Sequence, residues 1–433
     1  MIVDTILFTL YKFVLTVVFP LLGVIILGRI AWKLWIHYIR QDFISGIEYI
    51  VLEIVPPREV LRSPKAMELF FTNALYHYSH KGGKEQYWQG AVWFWFSLEI
   101  ASIEGQVHFY IRTPSRMKTL IETQMYAQYP QAQVKQVEDY TLAVDEISPS
   151  SAWMGWGCEF GLKKAEAFPI KTYVDFGLDK DPKEEFKVDP IAPLIELFGS
   201  IEKGEQVWFQ IVVTPSKKEY KTKGTWFGTH DWVAESKEEL KRLLRPYTST
   251  RQSSDEPTHY GIEVRTPDTL KKVVEQVNNK TTKIGFETGV RLMYVAKKEN
   301  YSMNTRRNIR LILRQYANPD SNSFRRMNAT QGDYYSSYFG ASEEVVMMLS
   351  QRMLHEYQNR GFFHLPLRHH LLNTHTIPWG LRGLLKVYKH PPTYVLNVEE
   401  LATIWHFPGQ ILKVPTLTRI ESKEAAPPPN LPQ

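Results

Sequence analysis

Hydrophobic positions run unbroken near the N-terminus and become periodic afterwards. From Phe13 to Gly28 the chain reads FVLTVVFPLLGVIILG without a charge. Relaxing the edges to Ile6 and Ile36 gives a helix long enough to cross the ~30 Å apolar layer of a bilayer. Pro20 lies inside it, which lipid-embedded helices tolerate. Lys12 precedes the apolar core, while Arg29, Lys33 and Arg40 come after it among Trp32, Trp35 and Tyr38, an interfacial aromatic belt. This asymmetry predicts a single-pass anchor over residues 1–40 in the inner (cytoplasmic) membrane, with the remainder in the cytoplasm. A cleaved signal peptide and a buried core helix are the alternatives; no small-x-small cleavage site comes after the apolar stretch.

Beyond the anchor, the hydrophobic period switches between two and about 3.6 residues. IEYIVLEIV (47–55) predicts a strand ended by Pro56 and Pro57. Ser63 and Pro64 open a helix carrying Met67, Phe70, Phe71, Ala74, Leu75 and Tyr78 on one face. Strands at Trp93–Ser102 and Gln106–Ile111 flank a Glu104-Gly105 turn. Thr113-Pro114 opens a second helix with Met117, Leu120, Ile121 and Met125, and Ala132–Val137 is a last strand. The order β-α-β-β-α-β predicts a ferredoxin-like unit over 41–145.

The segments FYIRTP (109–114), QIVVTP (210–215) and IEVRTP (262–267) each join a strand to a Thr-Pro step. Pro267 precedes Leu270, Val273, Val274 and Val277 at helical spacing. A strand at Phe286–Ala296 and a helix at Asn304–Tyr316 come next, and a short helix at Ile191–Phe198 precedes the set. A second ferredoxin-like unit over 146–330 is predicted, either by duplication or by independent reuse of a favourable strand-cap-proline solution. The charged stretch 216–259 reads as an inserted hairpin or loop with a short helix at Ser236–Leu244. Residues 331–420 form a mostly helical, irregular region. It includes a helix at Ser342–Asn359 with Val345, Met348, Leu349 and Met353 inward, and one at Val398–Trp405 that starts with a capping box from Asn397 to Glu400. The tail 421–433, ESKEAAPPPNLPQ, suits an extended linker. The predicted class is thus α+β: a transmembrane helix, two βαββαβ units and an irregular C-terminal region.

With 433 residues, 43% of them hydrophobic, the chain has room for two to three domains. Its one cysteine, Cys158, excludes an intramolecular disulfide and any zinc site built on several cysteines. A formal charge of +6 favours an anionic neighbour: lipid, nucleic acid or acidic protein. No GxxxxGK[ST], HExxH or GxSxG motif occurs, so no catalytic residue, cofactor or metal is expected. His364, His369, His370 and His375 have no ligand spacing and no accompanying carboxylates, which favours a structural role over a metal site. Glu138-Asp139 reads as a solvated acidic turn rather than an acid/base pair, and Trp93–Phe96 as a strand buried on both faces rather than a stacking platform.

The helix predicted at 304–316 puts Ile309, Ile312, Leu313 and Tyr316 on one side. Arg307, Arg310 and Arg314 lie on the other, with Arg306 nearby and Arg325 and Arg326 downstream. Arginine forks in such an array bind phosphates of nucleic acid or lipid; an ordinary solvated helix face is the other reading.

Residues 96–140 (FSLEIASIEGQVHFYIRTPSRMKTLIETQMYAQYPQAQVKQVEDY), 204–215 (GEQVWFQIVVTP) and 396–432 (LNVEELATIWHFPGQILKVPTLTRIESKEAAPPPNLP) resemble a family of bacterial membrane proteins related to type IV secretion and conjugation machinery. The resemblance is to the non-ATPase region of coupling-protein-like ATPases. It implies a scaffold or adaptor that docks a separately encoded P-loop ATPase, with Glu399, Glu400, Trp405, His406 and Phe407 at the docking region and a homo-oligomeric ring by analogy. The rival from another class is a membrane-tethered nucleic-acid binder acting through Arg306, Arg307, Arg310, Arg314, Arg325 and Arg326.

Overall fold

The computed structural model describes residues 2–57, 60, 62–77, 82–179, 188–216, 231–252, 260–264, 267–331, 343–364 and 393–409. In chain order its elements are α1 (Ile2–Phe13), a π-helical turn (Val14–Val18), α2 (Phe19–Ser45), β1 (Tyr49–Val55), α3 (Lys65–Phe70) with a π-helical extension (Phe71–Leu75), α4 (Gly83–Tyr87), β2 (Phe96–Ile103), β3 (Gln106–Pro114), α5 (Lys118–Gln128), β4 (Gln133–Val137) and β5 (Trp153–Leu162). Then come α6 (Ala192–Gly199), β6 (Glu205–Pro215), α7 (Trp232–Leu244), β7 (Thr248–Gln252), β8 (Tyr260–Val264), α8 (Asp268–Thr282), β9 (Gly285–Lys297), α9 (Met303–Ile309), β10 (Phe324–Met327), α10 (Glu343–Gln358), β11 (Tyr394–Asn397) and α11 (Val398–Ile404). Two compact units result: residues 1–48 with 78–94, and residues 49–77 with 95–433.

In the first unit, α1 runs through the π turn into α2, and the helix from Ile6 to Ser45 is long and apolar enough to cross a membrane. Pro20, which has no N–H to give the preceding turn, is the second residue of α2, and the π turn before it closes through Phe19 N–H to the Val14 carbonyl. Trp35 Nε1 donates to the Tyr87 carbonyl at 3.2 Å, and its ring meets Trp88 edge-on, so a residue placed in the aromatic belt also holds α4. Gly90 takes φ +67°, and any Cβ there would collide with the Ile39 and Arg40 backbone.

The second unit is built on one nine-stranded sheet in the order β10-β5-β9-β6-β2-β3-β1-β4, with β11 pairing the start of β9. Every pairing in it is antiparallel. Two-residue alternation decides the faces. In β2, Phe96, Leu98 and Ile100 enter a large core with Met67, Phe70, Ile121 and Met125, while Ala101 joins a smaller core on the second face with Trp208, Met293 and Met353. Glycines set how closely α10 approaches that second face: a Cβ on Gly157 would meet Met353 Cγ at 2.5 Å and the Leu292 carbonyl at 3.1 Å.

Two separate sheets, one per unit, are therefore replaced by a single sheet, joined where β2 pairs β6. The first set of strands lies in the order β4-β1-β3-β2, but the second set does not repeat it. There β9 sits between β5 and β6, and β8 pairs β7 in a separate two-stranded sheet. The physical reason lies in β9: almost all of it is buried on both faces, so its backbone groups need partners along both edges, and only a central position supplies them. Pro114 ends β3 and also caps the 3₁₀ turn Ser115–Met117 that runs into α5, as Pro267 caps α8; Pro215 ends β6, a strand terminus being where a residue without an N–H fits the ladder.

Candidate anion-binding site and the buried polar row

The helix predicted over 304–316 is shorter than its periodicity suggested. Ser302 Oγ accepts from Thr305 N–H and starts α9, which ends at Ile309; a turn and a 3₁₀ segment (Arg314–Tyr316) come after it. Ile309, Ile312, Leu313 and Tyr316 still enter the main core. The break reorganises the arginines. Arg310 feels, after its own burial, the charges of Arg326, Arg306 and Arg307, and together these hold its guanidinium below the ordinary value.

Arg326 reaches this group because it lies opposite Phe160 in the β10–β5 register, on the face of the main core. Its neighbour Arg325 projects to the other face beside Lys164 and Met327, lining a shallow cleft of about 220 Å³. Arg314 is exposed at the 3₁₀ turn and is not among the charges acting on Arg310. Four of the six predicted arginines thus converge and two do not. Among the described residues no carboxylate pairs with Arg306, Arg307, Arg310 or Arg326; Arg306 donates to the Gln331 side chain, and the Nε atoms of Arg306, Arg310 and Arg326 are buried without a partner. Among the described residues this is a group of donors with no carboxylate paired to it, suited to phosphate oxygens.

The second face holds a polar row that sequence reasoning missed. Across neighbouring strands the register aligns Glu53, Tyr110, Glu99, Gln210, Arg291 and Glu159 in one line. Glu99 accepts from Ser97 Oγ, Gln210 Nε2, Tyr140 Oη and the Arg360 guanidinium. Arg291 donates to Glu159 at 2.8 Å and to the Glu356 carbonyl at 2.6 Å, and stacks 4.2 Å from the Phe362 ring centre. Burial raises the hydroxyl pKa of Tyr140 and Tyr357 well above the ordinary value, with the Glu99 carboxylate adding to it. Asp139, expected in a solvated turn, is the second partner of Arg360. Each carboxylate in the row is matched by a donor, Glu53 by the His108 ring at 2.7 Å, and the Glu99 and Arg291 bonds position α10. The legible signal was an isolated Glu, Gln or Arg at the alternate positions of otherwise apolar strands.

Of the five residues that the resemblance places at the docking region, Glu400, Trp405, His406 and Phe407 are buried. Trp405 is fully buried, its indole donating to the Glu99 carbonyl at 3.4 Å, and Phe407 and His406 are enclosed, His406 against Asp189 at 3.0 Å. Glu400 is sealed against Lys280 at 2.9 Å. Only Glu399 is partly exposed, and it pairs with Lys283. Amphipathic spacing in α11 points its apolar face into the core, and neighbouring elements also cover Glu400 and Thr403.

Of the histidines, His364 packs against Trp95 with ring centres 5.5 Å apart; His369, His370 and His375 lie outside the described residues, as does the tail 421–433. Among the described residues no group of three or more His, Cys, Asp or Glu is arranged to hold a metal. Trp93, Phe94, Trp95 and Phe96 are all buried, but only Phe96 belongs to a strand.

Residues 53–345 match a family model described as a domain of unknown function (DUF8128). No curated protein matches the chain.

Proposed function

The chain belongs to the DUF8128 family, and from that premise we propose that it is a membrane-anchored scaffold whose α/β part holds a polyanion, in the first place nucleic acid, at Arg306, Arg307, Arg310 and Arg326. The observation that carries this reading is the convergence of four arginines with no carboxylate among the described residues to neutralise them. Phosphate backbones are bound largely through such arginines, with counterion release making the affinity fall steeply with salt. The Ile6–Ser45 helix supplies the anchor, and Arg29, Lys33 and Arg40 after its apolar core support a cytoplasmic position, at an inner membrane, for the residues beyond it.

The test is a DNA titration of the full chain in detergent over a range of salt. Changing the four arginines to Gln lowers affinity and flattens the slope of log affinity against log salt by ~0.7–0.9 for each phosphate no longer neutralised. Unchanged affinity and slope in the folded variant would remove the reading.

A second reading keeps the resemblance to secretion and conjugation machinery, in which the scaffold docks a P-loop ATPase and assembles as a ring. What supports it is that Leu396–Phe407, within the resembling stretch, is built into the core, so a partner held by the chain after Phe407 would be tethered to the sheet. Crosslinking in intact membranes followed by mass spectrometry tests it: recovery of no ATPase, under conditions that preserve other membrane complexes, counts against it. The order β4-β1-β3-β2, with α3 and α5 on one face, also supports a ferredoxin-like reading of that half of the sheet.

A further inference from the structure

At the end of the second face, away from the arginine cluster, three donors meet without an acceptor. Arg112 lies opposite Val51 and Ser97 in the register, and Tyr49 opposite Pro114, two positions further along the same face. The Arg112 guanidinium stacks over the Tyr49 ring, 4.1 Å from its centre, and the Tyr49 and Trp95 rings are 5.2 Å apart. Stacking occupies one face of the guanidinium and leaves its N–H edge to other partners. Yet among the described residues the Arg112 side chain has neither an ion pair nor a hydrogen bond. Trp95 is 8% exposed, and its Nε1, like the Tyr49 hydroxyl, is buried with no hydrogen-bond partner. Burial raises the pKa of that hydroxyl, opposed first by the Arg112 charge and then by the Trp95 backbone N–H, which is itself a donor and offers the phenol proton nothing.

A buried donor left unpaired carries its full desolvation penalty, so the two buried donors, Trp95 Nε1 and the Tyr49 hydroxyl, beside the half-buried Arg112 fork form an arrangement that an acceptor stabilises. Charge selects the acceptor. Arg116 and Arg360 add to the positive potential around Tyr49 and Arg112, while the nearby carboxylates, Glu99 and Asp139, are already bonded to Arg360. A neutral acceptor would leave that excess charge in place; an oxyanion removes it. The indole and the phenol are directional single donors beside a planar fork, which suits the several oxygens of one tetrahedral group.

We propose that Arg112, Trp95 and Tyr49 form a binding site for a phosphate group, carried either by a free phosphomonoester or by a lipid headgroup. Arg112 supplies the fork, Trp95 Nε1 a single donor, and the Tyr49 ring the surface that holds Arg112 in place. The site is separate from Arg306, Arg307, Arg310 and Arg326 and does not depend on their function.

The experiment is fluorine NMR of the full chain labelled with fluorotryptophan in lipid nanodiscs, the Trp95 resonance being assigned with Trp95→Phe. One arm adds inorganic phosphate to phosphatidylcholine nanodiscs; the other replaces part of the phosphatidylcholine with phosphatidate and adds no phosphate. A shift in the first arm identifies a free phosphate ligand and a shift in the second a headgroup, and either supports the site. Arg112→Lys, which keeps the charge and loses the fork, is expected to weaken the response about tenfold, and Arg112→Gln to abolish it. The quadruple Gln variant of the other cluster leaves it unchanged, so failure of that site and of this one are told apart. No shift in either arm, or an equal shift in wild type and Arg112→Lys, overturns the proposal.

Discussion

Arg360 and Glu99, 261 positions apart, meet in a two-pronged ion pair, Nε to Oε1 at 2.9 Å and Nη2 to Oε2 at 3.1 Å, with neither side chain exposed. Arg360 does this from a left-handed backbone, φ +50°, directly after α10. Its N–H bonds the Tyr357 carbonyl and the next residue, Gly361, bonds the Glu356 carbonyl, the pattern of a Schellman cap in which glycine normally takes the left-handed place. An arginine tolerates that conformation here because its guanidinium is bonded to both Glu99 and Asp139.

Removing one partner should therefore cost more than removing both. Arg360→Met leaves a buried carboxylate unmatched and is expected to destabilise the chain by ~3–5 kcal/mol, and adding Glu99→Leu should restore part of that. Thermal unfolding followed by tryptophan fluorescence in detergent decides it. A double variant no more stable than the single would place the cost elsewhere than in the stranded charge.

Gly289 faces Phe362, whose ring carbons would crowd any Cβ built there. Gly289→Ala should displace that ring from Arg291 and cost ~1–3 kcal/mol. Gly23→Ala, with nothing within 4 Å of the added carbon, is expected to leave the same unfolding curve unchanged.

Acid stability should depend on Asp139. Burial pushes its carboxyl up, but the Arg360 charge and the Thr141 donors outweigh this and hold it below the ordinary value of 3.8. With the folded value lower than the unfolded one, its stabilisation is full above the unfolded value and is lost as pH falls through the folded one. Urea midpoints measured at decreasing pH should fall more steeply below about pH 4 in wild type than in Asp139→Asn. Parallel curves would show that Asp139 contributes nothing to the acid limb.

The Lys280–Glu400 pair has the opposite sign. Burial raises the Glu400 carboxyl above its ordinary value, with Lys280 opposing this. Lys280→Met removes the opposition, so the folded value rises further; the folded state is then favoured at low pH and loses stability as pH rises through that value. The variant is expected to be destabilised by ~3–5 kcal/mol at neutral pH and less in acid, as read from denaturant midpoints. A deficit independent of pH would argue against an ionised Glu400 as its cause.

Features governed by near neighbours could be read from the chain alone. The Asn397–Glu400 capping box forms with both reciprocal bonds, because cap and partner are three residues apart and need nothing else. The apolar run around Val14–Leu27 became one long helix for the same reason, and Gln106–Ile111 became part of β3. It was α9 that marked the limit: its apolar positions were correctly inward, while its length was decided by a turn after Ile309 that periodicity does not reveal.

The tertiary structure decided everything that depends on partners far apart in the chain. Which strand lies beside β9, whether Arg325 or Arg326 joins Arg310, and whether Asp139 or Trp405 meets solvent are set by pairing across the sheet and by the elements that cover each face. A helix cap or a hydrophobic period is stabilised within one or two turns of chain, so local residues determine it. The matching of a buried charge, or the pairing of a central strand, draws its free energy from groups brought together only when the whole sheet closes.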